Sequence, residues 1–256
     1  MIFYFSGTGN SLYVAEQLDS DIRSIPQVMY ENRLVFKSDI IGIVCPSYGG
    51  EAPQMVQDFL KKAHFDCQYF FIVMTYGASI EIASDNMKKV TEEAGIHAVY
   101  FNAVRMADNY LPGFDVNEEA KKDKHAEEQI SLILNDIRNR KKFWPTPFEE
   151  DTDTFAGYQN FIREHPEQSW KNITFTVNDS CVKCGICTRV CPGGCIHVVN
   201  DSVIHDHPES CQHCFACVHN CPQKAIGLSV AEINRKARYR NNHISLMDLI
   251  KANHQF

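Results

Sequence analysis

Eight cysteines towards one end of the chain limit its fold more than any other feature. Cys181-x-x-Cys184-x-x-Cys187-x-x-x-Cys191-Pro192 recurs as Cys211-x-x-Cys214-x-x-Cys217-x-x-x-Cys221-Pro222, an internal repeat with a period of about thirty residues. The spacing has a chemical reason. Three thiolates on one tight loop reach three corners of an iron–sulfur cube, the fourth corner comes from elsewhere, and the cysteine before proline serves the other cube. Cys181, Cys184, Cys187 and Cys221 are therefore expected to hold one [4Fe–4S] cluster. Cys211, Cys214, Cys217 and Cys191 are expected to hold the other. Structural zinc is the competing reading, but its usual motif pairs two cysteines per knuckle. Gly185 and Ala216 lie among the ligands, where bulk would crowd a cube.

These residues resemble the bacterial two-cluster ferredoxins, and the resemblance implies a small α+β domain of that type at residues 173–229. The chain has 11 cysteines in 256 residues, and the remaining ones need other accounts. Cys195, four residues after Cys191, reads as a small buried side chain, with ligand exchange or a redox role as the alternative. His213 and His219 lie between ligands and read as solvent-facing polar residues, the alternative being hydrogen bonds that tune a cluster. Cys45 and Cys67 fit strand and loop packing.

Disulfide scaffolds are usually short secreted chains. This sequence opens without a basic stretch leading into an apolar one, so no signal peptide is read. No apolar run approaches the roughly 18–20 residues that span a bilayer. A cytoplasmic protein with no membrane partner is expected, and in that reducing setting clustered cysteines bind metal. The net charge of -7 leaves no basic surplus for phosphates and argues against a nucleic-acid partner.

The first half alternates strand-like and helix-like stretches. Met1 to Phe5, Ile22 to Ile25, Asp39 to Cys45, Tyr69 to Thr75 and His97 to Arg105 read as strands, the longer ones as apolar runs covered on both faces. Asn10 to Asp19, Ala52 to Ala63, Ser79 to Ala94 and Glu118 to Arg140 read as helices from their apolar spacing. Five strands alternating with helices predict an α/β fold with a doubly wound parallel sheet, ligands binding at the carboxyl ends of the strands. The expected divisions are a first domain at 1–140, a connecting segment at 141–172 with prolines and an acidic patch at Glu149 to Asp153, the cluster domain at 173–229, and a tail at 230–256, helical in two pieces.

The first strand runs into Ser6-Gly7-Thr8-Gly9-Asn10-Ser11. A Walker loop needs a lysine that is absent, and a dinucleotide loop needs a third glycine where Leu12 stands. Hydroxyls and backbone N–H groups at a helix N-terminus remain, and these wrap a terminal phosphate without a lysine. The loop resembles the FMN-phosphate loop of flavodoxins, S/T-x-T-G-x-T, with Ser11 in place of the last threonine. The resemblance covers residues 1–140 and implies a flavodoxin-like domain. Two further loops then flank the flavin, Pro46-Ser47-Tyr48-Gly49-Gly50 and Thr75-Tyr76-Gly77, with Tyr48 or Tyr76 stacked on its ring. Asn109 is a further candidate for that wall.

The combined order resembles the EFR1-type ferredoxin family, a flavodoxin-like domain fused to a bacterial-type 2[4Fe–4S] ferredoxin. The resemblance implies an iron–sulfur flavoprotein that passes electrons between FMN and the two clusters, a carrier rather than a substrate-specific enzyme. Its partner is then a redox protein or a small-molecule electron acceptor. Two alternatives stand beside it, a flavin-dependent reductase of a quinone or flavin fed by the clusters, and a redox or iron sensor. No residue is assigned a catalytic role.

Overall fold

A computed structural model describes residues 1–80, 82–145, 152–166, 169–200 and 202–253. Pro147 and the acidic residues Glu149 to Asp151 lie outside the described residues. The chain forms two compact units, one of Met1–Phe5, Asn10–Met106 and Asp123–Gly157, the other of Ser6–Gly9, Ala107–Lys122 and Tyr158–Phe256.

The first unit is built on five parallel strands, β1 (Ile2–Tyr4), β2 (Ile22–Ser24), β3 (Ile40–Pro46), β4 (Tyr69–Tyr76) and β5 (Tyr100–Arg105). Their order is β2-β1-β3-β4-β5. All eight residues of β4 are buried, which explains its unbroken apolar run. The chain steps one way from β1 to β2 and then back across β1 to β3. Right-handed crossovers therefore put α1 (Asn10–Leu18) on one face and α2 (Gln54–Lys62) and α3 (Ala83–Glu93) on the other. α4 (Ala126–Arg138) packs against α1 and β5. The reversal lies between β1 and β3, at whose carboxyl ends such sheets take their ligands.

Aromatic packing anchors the α2 face. Phe3 meets Phe36 at 4.5 Å and Phe59 at 4.9 Å between ring centroids, and Phe65 closes on Phe59 at 5.6 Å. Phe36 and Phe65 come from a short parallel ladder, Val35–Lys37 with His64–Asp66, that the sequence reading missed. Strands of three residues carry too little periodicity to stand out.

The single helix read over Glu118 to Arg140 is two pieces, a turn at Val116–Glu119 and α4. His125 breaks it at φ 51°, its N–H bonded to Asp123 Oδ1 at 2.8 Å. Lys121 to Lys124 offers no apolar side chain to hold a helix against a core. In the segment after α4, Phe143 bridges Tyr100, Trp144 packs its ring 5.4 Å from Phe101, and α5 (Thr152–Glu164) follows.

The second unit contains two antiparallel ladders. β6 (Phe175–Val177) pairs with β9 (Ile226–Leu228), and β7 (Ile196–Val199) with β8 (Ser202–His205). Two short helices, α6 (Ile186–Val190) and α7 (Ala216–His219), carry the third cysteine of each repeat. Leu111 and Val116 join Ile173, Ile196, Phe215, Val218 and Ile226 in its core. The tail differs from the two helices expected. Its first part is turns, with the Arg238–Glu232 pair buried at 2.8 Å and Arg238 also donating to Ile226 O. Among its described residues only α8 (Leu246–Asn253) is a helix. Arg240 likewise turns inward, donating to Ile244 O and to Asn220 Oδ1.

Candidate metal centres

The two repeats fold alike because they share backbone turns. Lys183 (φ 56°) and Gly185 (72°) precede α6, and His213 (48°) and Phe215 (56°) stand at the same places before α7. After the cysteine that precedes proline, Gly194 (61°) and Lys224 (51°) turn the chain again. Cys195 and Ala225 then donate their N–H groups to Cys191 Sγ and Cys221 Sγ, each at 3.3 Å. The chain neighbours of Gly185 aside, no atom of the described residues lies within 4 Å of where a Cβ on it would stand. Its backbone conformation therefore gives glycine a reason beyond crowding. Phe215 adopts the same region at a cost of roughly 1–2 kcal/mol, offset by stacking on Tyr110 at 6.0 Å.

Two cavities result. One is lined by Cys181, Cys184, Cys187 and Cys221. The other is lined by Cys191, Cys211, Cys214 and Cys217. The cysteine before proline in each repeat lines the cavity of the other repeat.

Electrostatics suits these donor sets to a cation-rich group. Burial, then the neighbouring sulfurs, push Cys187 up to about 11. The same causes push Cys214 and Cys217 up. Four thiols facing one cavity do not all ionise unaided, whereas iron supplies the positive charge that makes thiolates stable ligands. Cys191 and Cys211 are shifted down, chiefly by hydrogen bonds from the Cys195 thiol. Cys195 itself is 1% exposed.

His219 is not solvent-facing. It is 5% exposed, Nε2 donates to Asn109 O at 2.9 Å and Nδ1 accepts from Tyr239 N–H at 3.1 Å. These partners fix its tautomer, and burial holds its pKa down to about 4. His213 donates its backbone N–H to Cys211 Sγ at 3.4 Å and sets its ring 5.8 Å from Trp170.

The residues assigned to a phosphate or flavin fall into local groups. In the second unit Ser6, Gly7, Thr8 and Gly9 are all buried. Ser6 Oγ accepts from Gly9 N–H at 3.1 Å, and Asn109 Nδ2 donates to Thr8 Oγ1 at 2.6 Å. Gly9 has φ 101°, and a Cβ there would stand 3.0 Å from the Cβ atoms of Asn241 and Ile244. Asn241 N–H donates to Thr8 O at 2.9 Å. Asn253 Nδ2 donates both to Ser6 O (3.0 Å) and to Val190 O (3.2 Å), the residue before Cys191. The contacts of Asn241 with Thr8 and of Asn253 with Ser6 could not be read from the sequence, because these partners lie more than two hundred residues away in the chain.

In the first unit Asn10 and Ser11 open α1, and Ser11 Oγ meets Thr75 Oγ1 at 2.8 Å. Pro46 ends β3, and Ser47 N–H donates to Thr75 O at 2.8 Å. Tyr48 and Glu51 exchange backbone hydrogen bonds around Gly49 and Gly50, with Asn86 Nδ2 on Gly50 O. Tyr76 is buried, and Arg105 Nε donates to Gly77 O at 3.2 Å. Ser47 Oγ and Ser79 Oγ are buried with no hydrogen-bond partner among the described residues. Buried hydroxyls are normally satisfied, so this pair suits a polar ligand. Ser79 was not among the residues read from the sequence.

Residues 174–231 match the 4Fe–4S dicluster domain family. The NADH-quinone oxidoreductase subunit I of Pelobacter propionicus is 33% identical over 82 residues, 27% of this chain and 44% of that protein. A ferredoxin of Rickettsia felis is 39% identical over 56 residues, 21% of this chain and 50% of that one. A ferredoxin-like protein in the nif region of Trichormus variabilis is 33% identical over 55 residues, 22% and 47% respectively. The chain spans about half the length of the curated relatives it matches. Residues 174–231 are thus a 4Fe–4S dicluster domain of ferredoxin type. No helix among the described residues is long and apolar enough to cross a membrane.

Proposed function

We propose that this chain is an electron carrier coupling FMN to two [4Fe–4S] clusters, and that it serves a redox partner protein or a small-molecule acceptor. The observation that carries the reading is the pair of cavities, each lined by four cysteines drawn from both repeats. When bound, the clusters supply single-electron steps and the flavin supplies single or paired ones. Cys181, Cys184, Cys187 and Cys221 are the ligands of the first cluster. Cys191, Cys211, Cys214 and Cys217 are those of the second.

Ser6, Gly7, Thr8, Gly9, Asn10 and Ser11 are assigned to the FMN phosphate. Support comes from the strand-to-helix setting of the loop, where backbone N–H groups and the positive end of α1 favour an anion. Pro46 to Gly50, Thr75 to Gly77 and Asn109 are assigned to the rest of the flavin. The unpartnered hydroxyls of Ser47 and Ser79 support that assignment. Tyr48 and Tyr76 supply the aromatic surface. The test is anaerobic purification with cofactor analysis. About eight iron, about eight acid-labile sulfide and about one FMN per chain are expected. Zinc in place of iron refutes the carrier, and absence of flavin after reconstitution refutes its FMN half.

A further inference from the structure

The two repeats differ where they are otherwise superimposable in sequence. Cys195 follows the second cavity's Cys191 by four residues, and Ala225 follows Cys221 by the same interval. Both donate a backbone N–H to the cysteine sulfur, at the same 3.3 Å. Strand register extends the correspondence. Ile196, next to Cys195, pairs with His205, and Ile226, next to Ala225, pairs with Val177. By this register the second ligand set has a thiol and an imidazole at the positions that Ala225 and Val177 hold beside Cys221.

Both groups face the second cluster's ligands. Cys195 Sγ, a ring nitrogen of His205 and Cys211 Sγ lie within 4.8 Å of one another. Cys195 also donates its backbone N–H to Cys191 Sγ at 3.3 Å, so its side chain stands between two of the second set's sulfurs. His205 lines the cavity, and its Nε2 is buried without a partner among the described residues. The site is packed around this arrangement. A Cβ on Gly193 would stand 2.8 Å from Cys195 Sγ and 2.3 Å from Ser210 O, so the loop closes onto the thiol only with glycine there.

A thiol is a weak hydrogen-bond donor and a ligand sulfur an acceptor, so a thiol set beside the ligand sulfurs donates to them. Hydrogen bonds to cluster sulfurs withdraw negative charge and stabilise the reduced form. We infer that Cys195 and His205 are positioning residues that raise the reduction potential of the second cluster above the value it would hold with the apolar pair of the first. The inference rests on the cluster assignment above. One electron enters the cluster, the Cys195 proton stays on sulfur, and no bond to iron is made or broken.

The test is a redox titration of the full-length holoprotein followed by electron paramagnetic resonance, with iron counted for each variant. Cys195→Ala and His205→Val should each move one cluster step to lower potential and leave the other in place. Iron should stay near that of the unaltered chain. Cys195→Ser, which keeps a donor, should titrate close to the parent. The shift should persist with Cys184→Ala, which leaves only the second cluster to observe. Unmoved steps, or two steps moving together, overturn the inference while the cluster assignment stands. Loss of iron in Cys195→Ala also overturns it, since Cys195 would then be a ligand. An unaltered chain free of iron–sulfur signal overturns both.

Discussion

Whether the ligand sets cross between repeats is decided by pairing substitutions rather than by single ones. Cys184→Ala with Cys221→Ala removes two ligands from one cavity, and Cys214→Ala with Cys221→Ala removes one from each. With crossed sets, the first double variant keeps one intact cluster, about four iron atoms of about eight, and the second keeps none. With each repeat closing on its own cluster, the outcomes reverse, because Cys221 would then share a site with Cys214. Cys184 is exposed and Cys221 half-buried, and each change to alanine removes a single sulfur, so little cavity is left to confuse the result. The second site keeps all four of its ligands in the first variant. Iron and sulfide analysis after anaerobic purification reads the difference, and the surviving cluster's magnetic resonance spectrum identifies it. Equal iron in the two variants refutes the crossed arrangement.

Other consequences are equally direct. Gly9→Ala forces a side chain into a left-handed backbone and against Asn241 and Ile244. It should cost roughly 1–3 kcal/mol in urea unfolding, and on the proposed FMN assignment it should lower flavin retention with iron unchanged. Ser245 and Asp248 form a reciprocal cap at the start of α8, Ser245 Oγ accepting from Asp248 N–H at 3.2 Å and Asp248 Oδ2 from Ser245 N–H at 3.0 Å. Ser245→Ala should therefore cost about 1 kcal/mol, seen as faster amide exchange in α8. His219, buried and held down to about 4 from 6.5, favours its neutral form in the folded chain. Its contribution is fully present above pH 6.5 and is lost as pH falls towards 4, about 3 kcal/mol in all. His219→Gln should flatten that part of the stability profile, and an unchanged slope would show that the ring is not what titrates.

The sequence displays what short-range chemistry dictates. Cysteine spacing is read directly because three ligands of a cube sit on one tight loop. β3 and β4 are read because strands buried on both faces are almost wholly apolar. The break at His125 was hidden because α4 and the turn before it share helical apolar spacing, and only tertiary packing tells a polar run that ends a helix from one that faces solvent. His219 was misjudged for a related reason. A polar residue between ligands looks exposed until Asn109 and Tyr239 are seen to satisfy both ring nitrogens.

The inequality of the two clusters is legible only by halves. Aligning the repeats sets Cys195 against Ala225 from sequence alone, and that contrast identifies one thiol as surplus to the ligand sets. Its companion emerges only from strand register, which pairs His205 with Ile196 and Val177 with Ile226 across ladders of different sequence separation. A repeated motif sets the ligands at the same spacing twice, so the chemistry of binding iron requires the repeats to match at the ligands. Positions that touch sulfur without binding iron are free to diverge, and there two otherwise equivalent sites acquire different affinities for an electron. Cys195 and His205 occupy such positions, and for that reason the repeat should be searched for function where its halves disagree rather than where they match.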